Sequence, residues 1–175
     1  MSVSLQDFKE ILQCPGTHTV LAEPLRRDLD RYVALLKERF GSDLVSVVLF
    51  GSHARCEARA VSDVDVFLVI RGLPRNRFER YTGFRDLARS VSEEFGEQAA
   101  YIVVTPEEAV HVKPYYLGML SGHVILHDRD DFFAGVLDRL RRRLSELGSR
   151  RYVDEDGYEY WDLKPDWKPG DVVEL

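Results

Sequence analysis

Apolar residues recur at helical spacing from Glu23 to Phe40. Leu25, Leu29, Tyr32, Val33, Leu36 and Phe40 share one face, and Arg26, Arg27, Asp30 and Lys37 fill the other. Pro24 suits a first helical turn, and Gly41 closes the segment. Upstream, Val3–Leu12 carries a shorter amphipathic pattern and predicts a helix ended by Pro15 and Gly16. The pattern then changes. Leu44–Phe50 and Asp65–Ile70 are apolar, β-branched runs that end at Gly51 and at Gly72 with Pro74, and both predict buried strands of one sheet. Phe78, Tyr81, Leu87, Val91 and Phe95 return to helical spacing and predict a helix over Phe78–Phe95, stopped by Gly96. Ala99–Val104 reads as a third strand. Thr105-Pro106-Glu107-Glu108 then starts a helix running towards Leu120, with a kink at Pro114.

His123–Leu126 is a short strand candidate, and Asp130–Leu147 is a helix with Phe133, Val136, Leu137, Leu140, Leu144 and Leu147 on one stripe. Tyr152–Leu163 predicts a hairpin around Asp156-Gly157, followed by a proline-punctuated tail. The expected organisation is an N-terminal helical segment over 1–20, a central domain over 21–126, and a helix and tail over 127–175 packed on it. The fold class is α/β (α+β), with a small sheet flanked by helices.

Length and composition narrow the function classes. The chain has 175 residues, enough for one compact domain, and a net charge of −6. That balance disfavours broad nucleic-acid binding, although it leaves room for a local basic groove. No apolar run approaches the roughly 20 residues of a bilayer span, and the opening MSVSLQDFKE lacks the basic start of a secretory signal. A cytoplasmic protein with no membrane association is the expectation. Cys14 and Cys56 form no CxxC pair, which argues against structural zinc.

One segment stands out for its chemistry: Gly51-Ser52-His53-Ala54-Arg55-Cys56, then Asp63-Val64-Asp65. Glycine and serine at a strand end permit close backbone approach, and the following N–H groups cradle phosphate. Two carboxylates two residues apart on a strand project to the same face. There they repel unless a cation joins them, and Mg²⁺ favours such oxygens together with substrate phosphates. A phosphate cradle beside a carboxylate pair points to phosphoryl or nucleotidyl transfer. Either feature alone is usually a plain turn or a solvated strand edge. Their combination at this spacing, between two valine-rich strands, reverses those odds.

The stretch resembles the Gly-Ser-x-x-Arg-Gly…Ser-Asp-x-Asp signature of the DNA polymerase β-like nucleotidyltransferases, and in particular the minimal nucleotidyltransferases. Gly51, Ser52, Ala54, Arg55, Ser62, Asp63 and Asp65 match it in order. The resemblance implies a polymerase-β-like fold and a nucleoside triphosphate held by Gly51 and Ser52, with Arg55 assisting. It also implies Mg²⁺, with Mn²⁺ as a substitute, on Asp63 and Asp65. The implied reaction moves a nucleoside monophosphate to an acceptor hydroxyl. Two departures stand against the family pattern. Cys56 replaces the second glycine, and the strand Ala99–Val104 has no third carboxylate, which register with related strands would place at Ala100. Glu97 is the nearest upstream acid.

Minimal nucleotidyltransferases are commonly encoded beside small helical proteins and act as antitoxins towards them. A second expectation is therefore a non-catalytic or weakly catalytic antitoxin-like partner protein that keeps the fold. Homo-oligomerisation is left open. The other candidates carry less. His53 reads as a variable loop side chain, and His123 and His127, four apart, share one strand face without an accompanying acid. The arginines from Arg139 to Arg143 read as a solvated helix face, and Tyr158, Tyr160, Trp161 and Trp167 as aromatics that pin the tail.

Overall fold

The computed structural model describes residues 21–59, 61–155 and 158–175. The helix expected at Val3–Leu12 and the Asp156-Gly157 turn lie outside them. Helix α1 runs over Glu23–Phe40 and buries Leu29, Tyr32, Val33 and Leu36. Gly41, at φ +52°, ends it, and a turn at Gly41–Asp43 delivers the chain into β1, Leu44–Phe50. A short helix α2, Gly51–Ala54, and a loop lead back into β2, Val64–Ile70.

Four strands form a mixed sheet in the order β3-β2-β1-β4, where β3 is Ala99–Val104 and β4 is Val124–Asp128. The β1–β2 and β1–β4 pairs are antiparallel, and β2–β3 is parallel. A parallel pair needs a long crossover. Here it consists of α3 (Arg77–Arg80), α4 (Phe84–Arg89) and α5 (Glu93–Gln98). One sheet face packs Val47, Leu49, Val66 and Leu68 against α1 and the crossover. The other packs Val45, Val48, Phe67 and Val69 against α7 (Pro114–Ser121) and α8 (Phe132–Glu146). Covered on both sides, β1 and β2 read as continuous apolar runs rather than alternating ones.

The helix expected over Phe78–Phe95 is broken into three. Gly83 sits at φ +83°, where its carbonyl accepts from Arg39 Nη1 at 3.3 Å. Ser92 is extended, and its hydroxyl caps α5 by accepting from Phe95 N at 3.2 Å while donating to Asp28 Oδ2 at 2.9 Å. Tertiary contacts thus override the periodicity. Phe78 and Tyr81, counted on the apolar stripe, are 89% and 46% exposed. Gly96 does not stop the segment but lies inside α5, where a β-carbon would press on the Arg89 backbone at 2.8 Å.

The helix beginning at Thr105 also divides. A full capping box between Thr105 and Glu108 starts α6, Pro106–Ala109, and Pro114 opens α7 rather than kinking one long helix. Helix α8 starts two residues later than its pattern suggests, because Asp130 and Asp131 lie at φ +55° and +51°. Asp128 provides its cap, accepting from Phe133 N at 3.0 Å, Ala134 N at 2.9 Å and Ser46 Oγ at 2.5 Å. Beyond α8, β5 (Arg150–Val153) and β6 (Glu159–Asp162) pair antiparallel, and Trp161 and Leu163 pack partly buried against the second core.

Candidate active site

Everything in the Gly51–Asp65 segment depends on how β1 ends. Phe50 pairs with Asp65, so Gly51 leaves the sheet beside the start of β2. It does so at φ +73°, a conformation that favours glycine. A side chain there would collide with Asp65, whose carboxyl carbon lies 3.0 Å from the place of a Gly51 β-carbon. The carboxylate therefore rests against bare backbone. Ala54 is buried and anchors the turn, while Arg55 N donates to the carbonyls of Gly51 and Ser52 and Glu57 N donates to Ser52 O. A turn this short directs the backbone N–H groups of Ser52 and His53 towards its own N-terminal end, the arrangement that suits an anion.

Asp63 is exposed and immediately precedes β2, whereas Asp65, its second residue, is half-buried. Burial raises the Asp65 carboxyl above its usual range, and the nearby Asp63 charge raises it further; His53 and Arg55 oppose the shift. His53 Nε2 lies 3.4 Å from Ser62 O, a hydrogen bond that braces the loop just before Asp63. This is more than the variable side chain expected there. Arg55 Nε donates to Glu57 Oε2 at 2.7 Å.

Cys56 is exposed and sits at φ +59°. The position where the signature has glycine thus keeps the glycine conformation with a side chain in place. Across the parallel pair, Asp65 stands in register with Ala100. Glu97 is exposed at the end of α5. Among the described residues no three of His, Cys, Asp and Glu gather as a metal-holding group.

Gly122 belongs to the site without any signal in the sequence. A β-carbon on it would lie 2.6 Å from Arg55 Cγ, so the end of α7 is cut away to seat the Arg55 stem. In sequence it is indistinguishable from an ordinary helix-ending glycine. His123, just before β4, and His127, within it, do not share a face, because a bulge between Val47 and Val48 shifts the register. The buried His123 ring bonds Met119 O at 2.7 Å and feels Asp138 and Arg141 of α8, whereas His127 feels Lys37 of α1.

Comparison with known proteins matches residues 29–116 to the nucleotidyltransferase domain. The chain belongs to the nucleotidyltransferase domain family. Its four-stranded mixed sheet with flanking helices is the architecture expected of a polymerase-β-like member. Over 151 residues it is 30% identical to protein MJ1305 of Methanocaldococcus jannaschii, named by inference a protein adenylyltransferase. That match spans 85% of this chain and 97% of the relative. Solved structures are more distant. One, of a toxin–antitoxin pair with AMP-PNP, aligns over 68% of this chain and 92% of its own at 14% identity and a TM-score of 0.44. Another, the tri-AMPylated Shewanella oneidensis HEPN toxin in complex with MNT antitoxin, aligns over 70% and 92% at 13% identity and a TM-score of 0.39. Among the described residues no helix is long and apolar enough to cross a membrane.

Proposed function

We propose that the chain is a nucleotidyltransferase that binds a nucleoside triphosphate at the Gly51–Ser52 turn and transfers its nucleoside monophosphate to an acceptor hydroxyl. The observation that carries this reading is the Gly51–Asp65 contact, which sets a carboxylate, within reach of the Asp63 charge, against the bare backbone of the Gly51–Ser52 turn. The name of the Methanocaldococcus relative favours ATP as donor and a protein side chain as acceptor. Family membership and the donor set fit a divalent cation: two hard carboxylate oxygens that repel each other until a cation joins them. Asp63 and Asp65 would hold Mg²⁺, or Mn²⁺ in its place. Bound there, it would neutralise triphosphate charge and polarise the α-phosphorus.

The chain's own groups have separate tasks. The Ser52 hydroxyl and first-turn N–H groups hold terminal phosphate oxygens, and Arg55, steadied by Glu57, adds positive charge beside them. The acceptor oxygen attacks the α-phosphorus, the bond to the pyrophosphate oxygen breaks, pyrophosphate leaves and the hydroxyl proton passes to water. Ala100 places a methyl group beside Asp65, where a third carboxylate would activate that hydroxyl, and this makes transfer slow rather than fast.

The same alanine favours a second reading, in which the chain binds nucleotide and a protein partner without efficient transfer, as an antitoxin-like protein would. Incubation with α-labelled ATP, Mg²⁺ or Mn²⁺ and candidate acceptor proteins separates the two. Label on an acceptor that disappears with Asp63→Asn supports transfer. Nucleotide binding with no label, unchanged by Asp63→Asn, supports the partner reading.

A further inference from the structure

The segment 71–85, at the opposite end of β2 from the candidate site, carries five arginines and one acid, Glu79, in a chain whose net charge is −6. It starts where the seven-residue β2 ends, about 20 Å from Asp65 at ~3.3 Å per residue. Several guanidinium groups here are held by backbone carbonyls. Arg71 Nη1 donates to Ser42 O at 3.1 Å. Arg129 donates to Leu44 O and Gly41 O at 3.5 Å, and Arg39 reaches Gly83 O. A carbonyl fixes a guanidinium without neutralising it. The arginines of α8 differ: Arg141 pairs with Asp138 at 2.7 Å and Arg143 with Glu146 at 3.3 Å. Acids do enter the region. Glu108 neutralises Arg80 at 2.5 Å, and Glu107 feels the Arg71 charge.

Two exposed aromatic rings lie on the same segment. Phe78 is 89% exposed and Tyr81, three residues on, is 46% exposed. Asn76 fixes the turn that presents them, accepting from Phe78 N at 3.1 Å and donating to Glu79 Oε1 at 2.9 Å. Exposed rings on a segment whose own and contacting arginines are fixed by carbonyls are the elements of base stacking with phosphate contact.

We infer that this surface binds single-stranded nucleic acid, with bases on Phe78 and Tyr81 and phosphates against Arg39, Arg71 and Arg75. A duplex is disfavoured, because it hides its base faces and α3 has only four residues to enter a groove. An acidic protein segment would satisfy the arginines and leave both ring faces without a stacking partner. The surface is separate from the carboxylate pair, so it binds with or without nucleotide at Gly51.

Fluorescence anisotropy of the full chain with a short labelled oligouridylate tests this. Saturable binding is expected, weakening roughly eighteen-fold between about 50 and 200 mM salt if three single-strand phosphates are contacted. Phe78→Ala should weaken it about tenfold, the usual cost of one lost stacking partner. Arg75→Gln should lower the salt slope by about 0.7. Arg142→Gln on α8 and Asp65→Asn should bind as the parent does. Absence of saturable binding below about 100 µM, the weak limit of non-specific affinity, would overturn the inference. So would parental affinity in Phe78→Ala, or displacement by oligoglutamate as readily as by unlabelled oligouridylate. Binding lost in Asp65→Asn would place the strand in the nucleotide cleft instead.

Discussion

Gly51 and Asp65 are built as one unit: the carboxyl carbon of Asp65 lies 3.0 Å from where a β-carbon on Gly51 would stand, with the Oδ2 oxygen nearer still. Gly51→Ala should therefore act twice. It places an L-residue at φ +73°, a strain of about 1–2 kcal/mol, and it pushes the carboxylate off the turn. The expected result is a lower melting temperature together with loss of ATP binding by calorimetry. Retained binding would show that Asp65 is free to leave the turn without consequence for the nucleotide.

Asp65 also sets a pH dependence. Its folded-state carboxyl is raised above the usual value, by burial first and then by Asp63. The stability this group favours is full below the unfolded value and is lost as pH rises through the folded one. The free protein at neutral pH thus carries an unfavourable charge that a cation relieves. Asp65→Asn should raise the melting temperature at pH 7, flatten its change between the ordinary carboxylate range and neutrality, and abolish stabilisation by Mg²⁺ with ATP. Melting curves across pH with the two proteins side by side check the sign.

The strand and helix bounds that position this pair were legible because each depended on local signals. Pro24 and Gly41 bracket α1, and β1 and β3 are bounded as their apolar runs suggest. The crossover was not legible. Phe78, Tyr81 and Leu87 have helical spacing, but Gly83 and Ser92 are recruited by Arg39 and Asp28, residues distant in sequence. At the site, Gly51, Ser52, Asp63 and Asp65 stand together in the chain and so announce themselves. Gly122 meets Arg55 only through the packing of α7, and no local pattern encodes that.

Cys56 tests the remaining departure from the family signature. Held at φ +59° and exposed, it loses little by truncation and gains conformational freedom from glycine. Cys56→Gly should stabilise the chain by about 1 kcal/mol, read as a shift of the denaturant midpoint with unchanged slope. A destabilised variant would mean that the thiol makes a contact worth more than the strain.

Gly122→Ala would press a methyl group onto Arg55 Cγ at 2.6 Å. Gly122 itself lies at φ 173°, so alanine is not strained by the backbone and the effect should be confined to Arg55. Nucleotide affinity should fall about tenfold, the size of one charge-assisted contact at ~1.5 kcal/mol. The melting temperature of the free protein should change little. In an Arg55→Ala background the same substitution should cost nothing further, and an undiminished effect there would remove Arg55 from the explanation.

Ala100 is where gain, rather than loss, is expected. Because it stands in register with Asp65 on the neighbouring parallel strand, a carboxylate placed there projects from the same sheet face and joins the Asp63–Asp65 pair. Three like charges raise one another's pKa values, so Ala100→Asp should destabilise the free protein at neutral pH, and more as pH rises. Divalent cation should restore that stability, and Mn²⁺ affinity by calorimetry should increase. If the chain already positions triphosphate and acceptor, transfer of label from α-labelled ATP should rise by about 10²-fold or more, the usual contribution of a general base. A variant that binds metal more tightly and still transfers nothing would locate the deficit in the acceptor and favour the partner-binding reading over the enzymatic one.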